Sequence, residues 1–115
     1  LGDNLWLWRA DHALLRPGET ANYPEISTLY HQSEKDEYVV KHGLVVTGDH
    51  AQITGLAVEH TNEHQVIWKG EHGSVYFYQC EFPYGVGEEF VGNYGYLVHD
   101  SVQNHKVFAP GVYSN

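Results

Sequence analysis

The sequence predicts an all-β protein: a parallel β-solenoid of about four to five rungs with two loop excursions. Three observations carry this. The stretch Leu44–Phe82 nearly repeats itself: LVVTGDHAQITGLAVEH lies above VIWKGEHGSVYFYQCEF, and one constant shift pairs Gly48 with Gly70, His50 with His72, Val58 with Cys80 and Glu59 with Glu81 without a gap. The 12 Gly, 9 Tyr, 3 Trp and 4 Phe, with no Met, suit strands that carry aromatic surfaces. No apolar 3.6-residue period with helix caps is sustained anywhere, so almost no helix is expected. A coil this short cannot bury its inner face alone, so coils stack and like residues lie one above another.

In chain order, Asn4–His12 (NLWLWRADH) aligns with Gln52–His60 and Ser74–Phe82 and is the expected first rung. The step from Asp11 to Glu59 exceeds the step from Glu59 to Glu81 by more than a full repeat, so an excursion is expected at residues 13–42. Pro17-Gly18, Tyr23-Pro24 and the polar run His31–Glu37 are turn and loop signals there, with short strands at Leu29-Tyr30 or Tyr38–Val40. The excursion reads as a solvated loop or as an insertion that shapes a cleft. A second excursion at residues 83–93 follows the central repeat, and Tyr94–Val102 and Val107–Tyr113 read as the last strands, with Asp100 continuing the column of Glu59 and Glu81. Residues 1–115 are thus one solenoid domain or a fragment of a longer β-helix. The start at Leu1, in strand-like sequence and without Met, suggests a processed chain or a piece of a longer one.

The chain carries 6 Lys plus Arg against 15 Asp plus Glu, a formal net charge of −9. That balance argues against a nucleic-acid backbone or an anionic membrane as partner and leaves cations, neutral sugars and basic proteins open. No apolar run approaches the length of a bilayer span. Cys80 is the lone cysteine and occupies the position of Val58 one repeat earlier, so it reads as a buried apolar residue rather than a reactive thiol.

Neighbours along a strand alternate between faces, while equivalent residues on adjacent parallel strands stand about 4.8 Å apart. If Ala10, Val58 and Cys80 point inward, then Asp11, Glu59 and Glu81 form an acidic outer column, with Arg9 on the same side. Stacked carboxylates repel unless a cation such as Arg9 offsets them. Adjacent rungs would bring carboxyl groups to the spacing of a retaining glycosidase pair, and alternate rungs toward that of an inverting pair. Asp11, Glu59 and Glu81 are therefore the candidate acid/base residues. The alternative is that they face solvent and merely avoid burial.

Trp6, Trp8, Trp68, Tyr76 and Tyr78 offer flat faces to a sugar ring, or else serve as core. With Arg9, four of them (Trp6, Trp8, Trp68 and Tyr76) are the candidate substrate-binding residues. Asp49 over Glu71 and His50 over His72 form two further columns, and His12 aligns with His60. A hydrogen-bonded turn ladder is preferred to a metal there, because two histidines supply too few ligands; no metal and no cofactor is expected.

The ordered motifs NLWLWRADH, HGLVVTGDH, GLAVEHT, WKGEHGSVYFYQCEFPY, GYLVHDSV and PGVY together resemble the carboxy-terminal β-helix region of secreted pectate-lyase-like proteins. Such proteins often carry the names adenylyl cyclase or discoidin-domain protein. The resemblance implies a right-handed parallel β-helix, an extracellular or cell-surface setting and contact with a polysaccharide. Thr47 and His50 depart from the Asn residues expected there, and Gly85 replaces an expected Asp. Two classes of function follow: a carbohydrate-active β-helix, glycosidase or lyase, and a non-catalytic module that binds glycan or assembles through its open ends. In the second class the partners are other copies or a larger β-helix chain.

Overall fold

The computed structural model describes residues 1–14, 30–32, 38–83 and 88–114, the short strands at 12–14 and 30–32 as backbone only. The order is β1 (Gly2–Trp8), β2 (His12–Leu14), β3 (Tyr30–Gln32), β4 (Leu44–Val46), β5 (Gln52–Glu59), β6 (Val66–Trp68), β7 (Gly73–Glu81), β8 (Tyr96–Val98) and β9 (His105–Tyr113). Among the described residues the only helical element is a 3₁₀ turn, Glu88–Phe90. A large parallel sheet runs β1-β5-β7-β9 and a small parallel sheet runs β4-β6-β8, while β2 and β3 pair antiparallel. From β4 onward the chain alternates between the small and the large sheet, as parallel pairing of sequential repeats demands.

The shift that aligns the central repeat with itself is also the register of the central strands. Leu44 pairs with Val66, Val58 with Cys80, and Glu59 with Glu81. Val58 and Cys80 are fully buried, together with Leu56, Val66, Trp68, Val75 and Tyr78. Side chains of this size each contribute about 1.5–3 kcal/mol when removed from water, so these inward columns hold the two sheets together. Burial pushes the Cys80 thiol up to about 11, which makes it inert. Gly70 stands over Gly48 because nothing larger fits: a Cβ on Gly70 would lie 2.0 Å from the Gly48 carbonyl oxygen.

The flanking strands are phased differently from the expectation. Trp8, not Asp11, pairs with Glu59, and Leu7, not Ala10, pairs with Val58. Strand β1 therefore sits further along the chain from β5 than the alignment of Asp11 with Glu59 implies, and His12 does not stand over His60. At the other end Tyr113, not Asp100, pairs with Glu81, and only Tyr96–Val98 of the stretch Tyr94–Val102 is strand. Of the expected first excursion, the described part contains β3 at Tyr30–Gln32, while Tyr38–Val40 is not a strand. Pro17-Gly18, Tyr23-Pro24, Ser33 to Glu37 and Gly85 lie outside the described residues.

A column of left-handed residues crosses the large sheet at Asn4, Gly55, Phe77 and Ala109, with φ of 49, 70, 65 and 50°. L-residues with a Cβ adopt this region at a cost, and they do so singly. Each such residue inserts one extra position into its strand, so Ile53 and Leu56 are both buried although an odd number of positions separates them. The outer face therefore changes direction halfway along every long strand. The ends of the strands present one outer surface and their beginnings another.

Candidate functional site

Beyond the bend, the outer positions of the large sheet hold Trp8, Glu59, Glu81 and Tyr113 in one column, and Trp6, Ala57, Gln79 and Gly111 in the next. Parallel pairing sets Glu59 and Glu81 on adjacent strands, about 4.8 Å apart at the backbone. Trp6 donates its indole N–H to Glu59 Oε2 at 2.8 Å, which ties that carboxylate down. The Trp6 and Trp8 rings stack at 6.0 Å with planes 16° apart, and Trp6 is 66% exposed. A flat aromatic surface thus borders the two carboxylates.

Asp11 reaches this site by another route. Strand β1 stops at Trp8; Arg9 N–H then donates to the Glu59 carbonyl, and Asp11 N–H donates to the Arg9 carbonyl at 2.7 Å. That tight turn swings Asp11 out of the outer column and beneath the sheet edge, where it is 5% exposed. There it pairs with His60, whose Nδ1 lies 2.7 Å from Asp11 Oδ1. His60 adopts φ 63° at the end of β5, which turns its ring inward, and its Nε2 lies 3.7 Å from Glu81 Oε2. Arg9, expected on the outside, is 7% exposed; its Nε donates to the His60 carbonyl at 2.6 Å and its guanidinium lies 3.6 Å from Asp11.

Asp11, His60 and Glu81 therefore form a continuous chain, buried at one end and open at the other. Burial alone would push the His60 imidazolium down. The hydrogen bond to Asp11 and the charges of Asp11, Glu81 and Glu59 outweigh it, so His60 holds its proton above the ordinary imidazole range. His60 Nε2 faces Glu81 at an ion-pair distance of 3.7 Å, and the two cations, Arg9 and His60, offset the acidic cluster.

Three of the aromatics that could offer a flat face lie elsewhere. Trp68 is fully buried and donates its indole N–H to the Gly70 carbonyl, so it is core and offers no face to a sugar; Tyr78 is likewise buried, its hydroxyl donating to the Gly95 carbonyl. Tyr76 is exposed but lies before the bend, on the other outer surface. His60 is the functional residue that sequence reasoning missed. Its adjacency to Glu59 in GLAVEHT is visible, but its partner Asp11 lies in a distant segment of the chain. The turn columns hold as ladders: His50 stacks on His72 at 5.0 Å, and Asp49 Oδ1 accepts the Glu71 N–H.

Two histidines give opposite pH dependences of stability. His60 has its pKa raised, so its stabilisation is complete below the ordinary value of 6.5 and is lost as pH rises through its folded value. His105, packed against Trp68 at 4.5 Å, has its pKa lowered by burial, so its contribution is complete above 6.5 and is lost as pH falls through its folded value. Thermal unfolding followed from roughly pH 5 to 8 is expected to show a loss of stability on both sides. His60→Gln is expected to flatten the alkaline side and His105→Gln the acid side; a single slope unaffected by either substitution would contradict the assignment.

Residues 1–81 match the family model described as the LAM55 pectate lyase-like domain. The chain is 34% identical over 118 residues to an exo-β-1,3-glucanase of Streptomyces sp. (strain SirexAA-E / ActE), an alignment that takes in 96% of this chain and 17% of that enzyme. It is also similar to the solved structure of a variant of sacteLam55A from Streptomyces sp. SirexAA-E in complex with glucose. There the TM-score is 0.74 at 30% identity, over 97% of this chain and 18% of that one. The chain thus spans less than one-fifth of the length of these relatives. With the parallel sheets, the matching model identifies the chain as a member of the LAM55 pectate lyase-like domain family.

Proposed function

We propose that this chain forms successive rungs of a right-handed parallel β-helix and supplies the carboxylate face of a glycoside hydrolase that cleaves β-1,3-linked glucan outside the cell. The observation that carries this reading is the register of Glu59 and Glu81 beside the Trp6–Trp8 stack, with Glu81 backed by His60 and Asp11. Glycosidic hydrolysis needs an acid at the leaving oxygen and a carboxylate that activates water or attacks the sugar. Glu59 and Glu81 supply the two carboxyl groups of this pair, and the water consumed in each turnover returns the proton that the acid gives to the leaving oxygen. Glu59 is held in place by the Trp6 indole. Two carboxylates and water suffice for this chemistry, and no cofactor enters the proposal. The substrate class follows from the two relatives, one named as an exo-β-1,3-glucanase and one solved with glucose.

Tryptophan fluorescence tests the binding half of the reading. Trp6 and Trp8 are exposed and Trp68 is buried, so a soluble β-1,3-glucan oligosaccharide is expected to perturb the exposed pair. Trp8→Ala should remove the response, whereas a β-1,4-linked oligosaccharide should give none. An unresponsive spectrum would leave the site without its ligand. It would favour a second reading, a module that associates through its open edges. That reading rests on Phe108, Val112 and Tyr113, which are exposed along edge strand β9.

A further inference from the structure

On the other outer surface, before the left-handed bend, the beginnings of β7 and β9 and the connection that leads into β9 enclose a cleft of about 420 Å³. Its lining includes His72, Ser74, Tyr76, Gln103, Asn104 and Lys106. That volume falls within the range of about 300–1,000 Å³ typical of small-ligand sites. Tyr76 lies just before the bend of β7 and Glu81 at the end of that strand, roughly 17 Å of extended chain apart, and the bend at Phe77 turns the two surfaces away from each other. The cleft is therefore separate from the carboxylate site.

We infer that this cleft is a second carbohydrate-binding site, which holds a neutral glucan chain away from the residues that cleave it. Three features of its lining select such a ligand. Tyr76, 40% exposed, lines the cleft and is braced from outside it by Phe108, whose ring stacks on it at 4.9 Å and 5° from parallel, so it gives an apolar surface of the kind that receives the C–H face of a pyranose. The hydroxyl of Ser74, the amides of Gln103 and Asn104 and the imidazole of His72 offer donors and acceptors side by side, as a polyol requires. Among the described lining residues there is no carboxylate to hold a cation. Lys106 alone carries a permanent positive charge, too little to gather a polyanion onto a chain of net charge −9.

The cleft is also built before any ligand arrives. Glu71 accepts the backbone N–H groups of both Gln103 and Asn104, at 2.5 and 3.1 Å, and the His72 N–H donates to the Asn104 carbonyl at 2.8 Å. These bonds pin the wall that carries the two amides, so binding need not order it. His105, which also lines the cleft, engages the Tyr96 hydroxyl through Nε2, while its buried Nδ1 has no hydrogen-bond partner among the described residues. Tyr76, a candidate sugar platform that lies far from Glu59 and Glu81, thereby acquires a role.

The identity of the glucan rests on the function proposed above; the existence of a second site does not. The test uses insoluble linear β-1,3-glucan as probe, in a Glu81→Gln background so that the polymer is not consumed. Retention on the polymer is expected to fall at least tenfold with Tyr76→Ala and measurably with Gln103→Ala. The tryptophan fluorescence response to a short soluble β-1,3-oligosaccharide should stay unchanged in both. Retention unaltered by either variant would overturn the inference. So would a parallel loss of retention and of the fluorescence response, since the two surfaces would then be one site. Retention that depends on Tyr76, with no response at the tryptophans, would support the cleft while counting against the proposed catalytic face.

Discussion

Glu81→Gln is expected to lower glucan turnover by about a hundredfold or more while leaving the unfolding midpoint close to that of the parent, because the amide keeps the shape and can serve neither as acid nor as base or nucleophile. The side chain lies on the outer face at the end of β7, so the substitution disturbs no inward column. Asp11→Asn is the companion measurement. It keeps the size of the buried group but withdraws the charge that holds the proton on His60, so it should shift the pH–rate profile as well as lower the rate. A loss of rate with an unchanged profile would place Asp11 in folding alone. Equal turnover in the parent and in Glu81→Gln would remove Glu81 from the chemistry.

Trp68→Ala carries the largest expected effect on stability, a loss of about 3–5 kcal/mol in denaturant unfolding. The indole is fully buried between the sheets, packs against His105 at 4.5 Å and Tyr96 at 6.3 Å, and donates its N–H to the Gly70 carbonyl at 3.0 Å. Its surroundings are shaped around it, since a Cβ on Gly73 would lie 2.4 Å from the ring. Truncation therefore opens a cavity and removes the donor to a buried carbonyl together. Trp68→Phe should recover part of the loss, by filling the space without restoring the hydrogen bond. A change under about 1 kcal/mol in the alanine variant would show that the core collapses around the gap.

The centre of the fold was legible because the connection after β5 keeps the phase from one repeat to the next. Glu59 and Glu81 share a column for the same reason that Gly48 and Gly70 do. The flanking strands were not legible at that level, because the connections that lead from Trp8 to Glu59 and from Glu81 to Tyr113 are both longer than the central one and differ from each other. No local periodicity measures a loop.

The left-handed column was equally hidden. It is occupied in turn by Asn, Gly, Phe and Ala, and only the first two residue types signal such a conformation. Of the candidate site, Glu59 and Glu81 came from alternation along strands, which is a local rule; Trp6 and Trp8 were named for their flat rings, and the register of Trp8 with Glu59 is what brings them beside the carboxylates. Asp11 was named as an acid but was expected outside. The turn through Arg9 instead buries it against His60, a contact between distant segments that spacing alone cannot supply. Trp68 shows the converse: an aromatic at a strand position reads equally as platform or as core, and burial by the opposite sheet decides between them.

Sugar release from β-1,3-linked and β-1,4-linked glucose oligosaccharides of equal length is the most direct test of the catalytic face. The assay should use both this chain and a chimera in which it replaces the matching segment of the Streptomyces exo-β-1,3-glucanase. Release from the β-1,3-linked oligosaccharide alone, abolished in both proteins by Glu81→Gln, is the predicted result. A folded chimera that releases sugar from neither oligosaccharide, or that releases it equally well after Glu81→Gln, would contradict the proposal that Glu59 and Glu81 form the catalytic face.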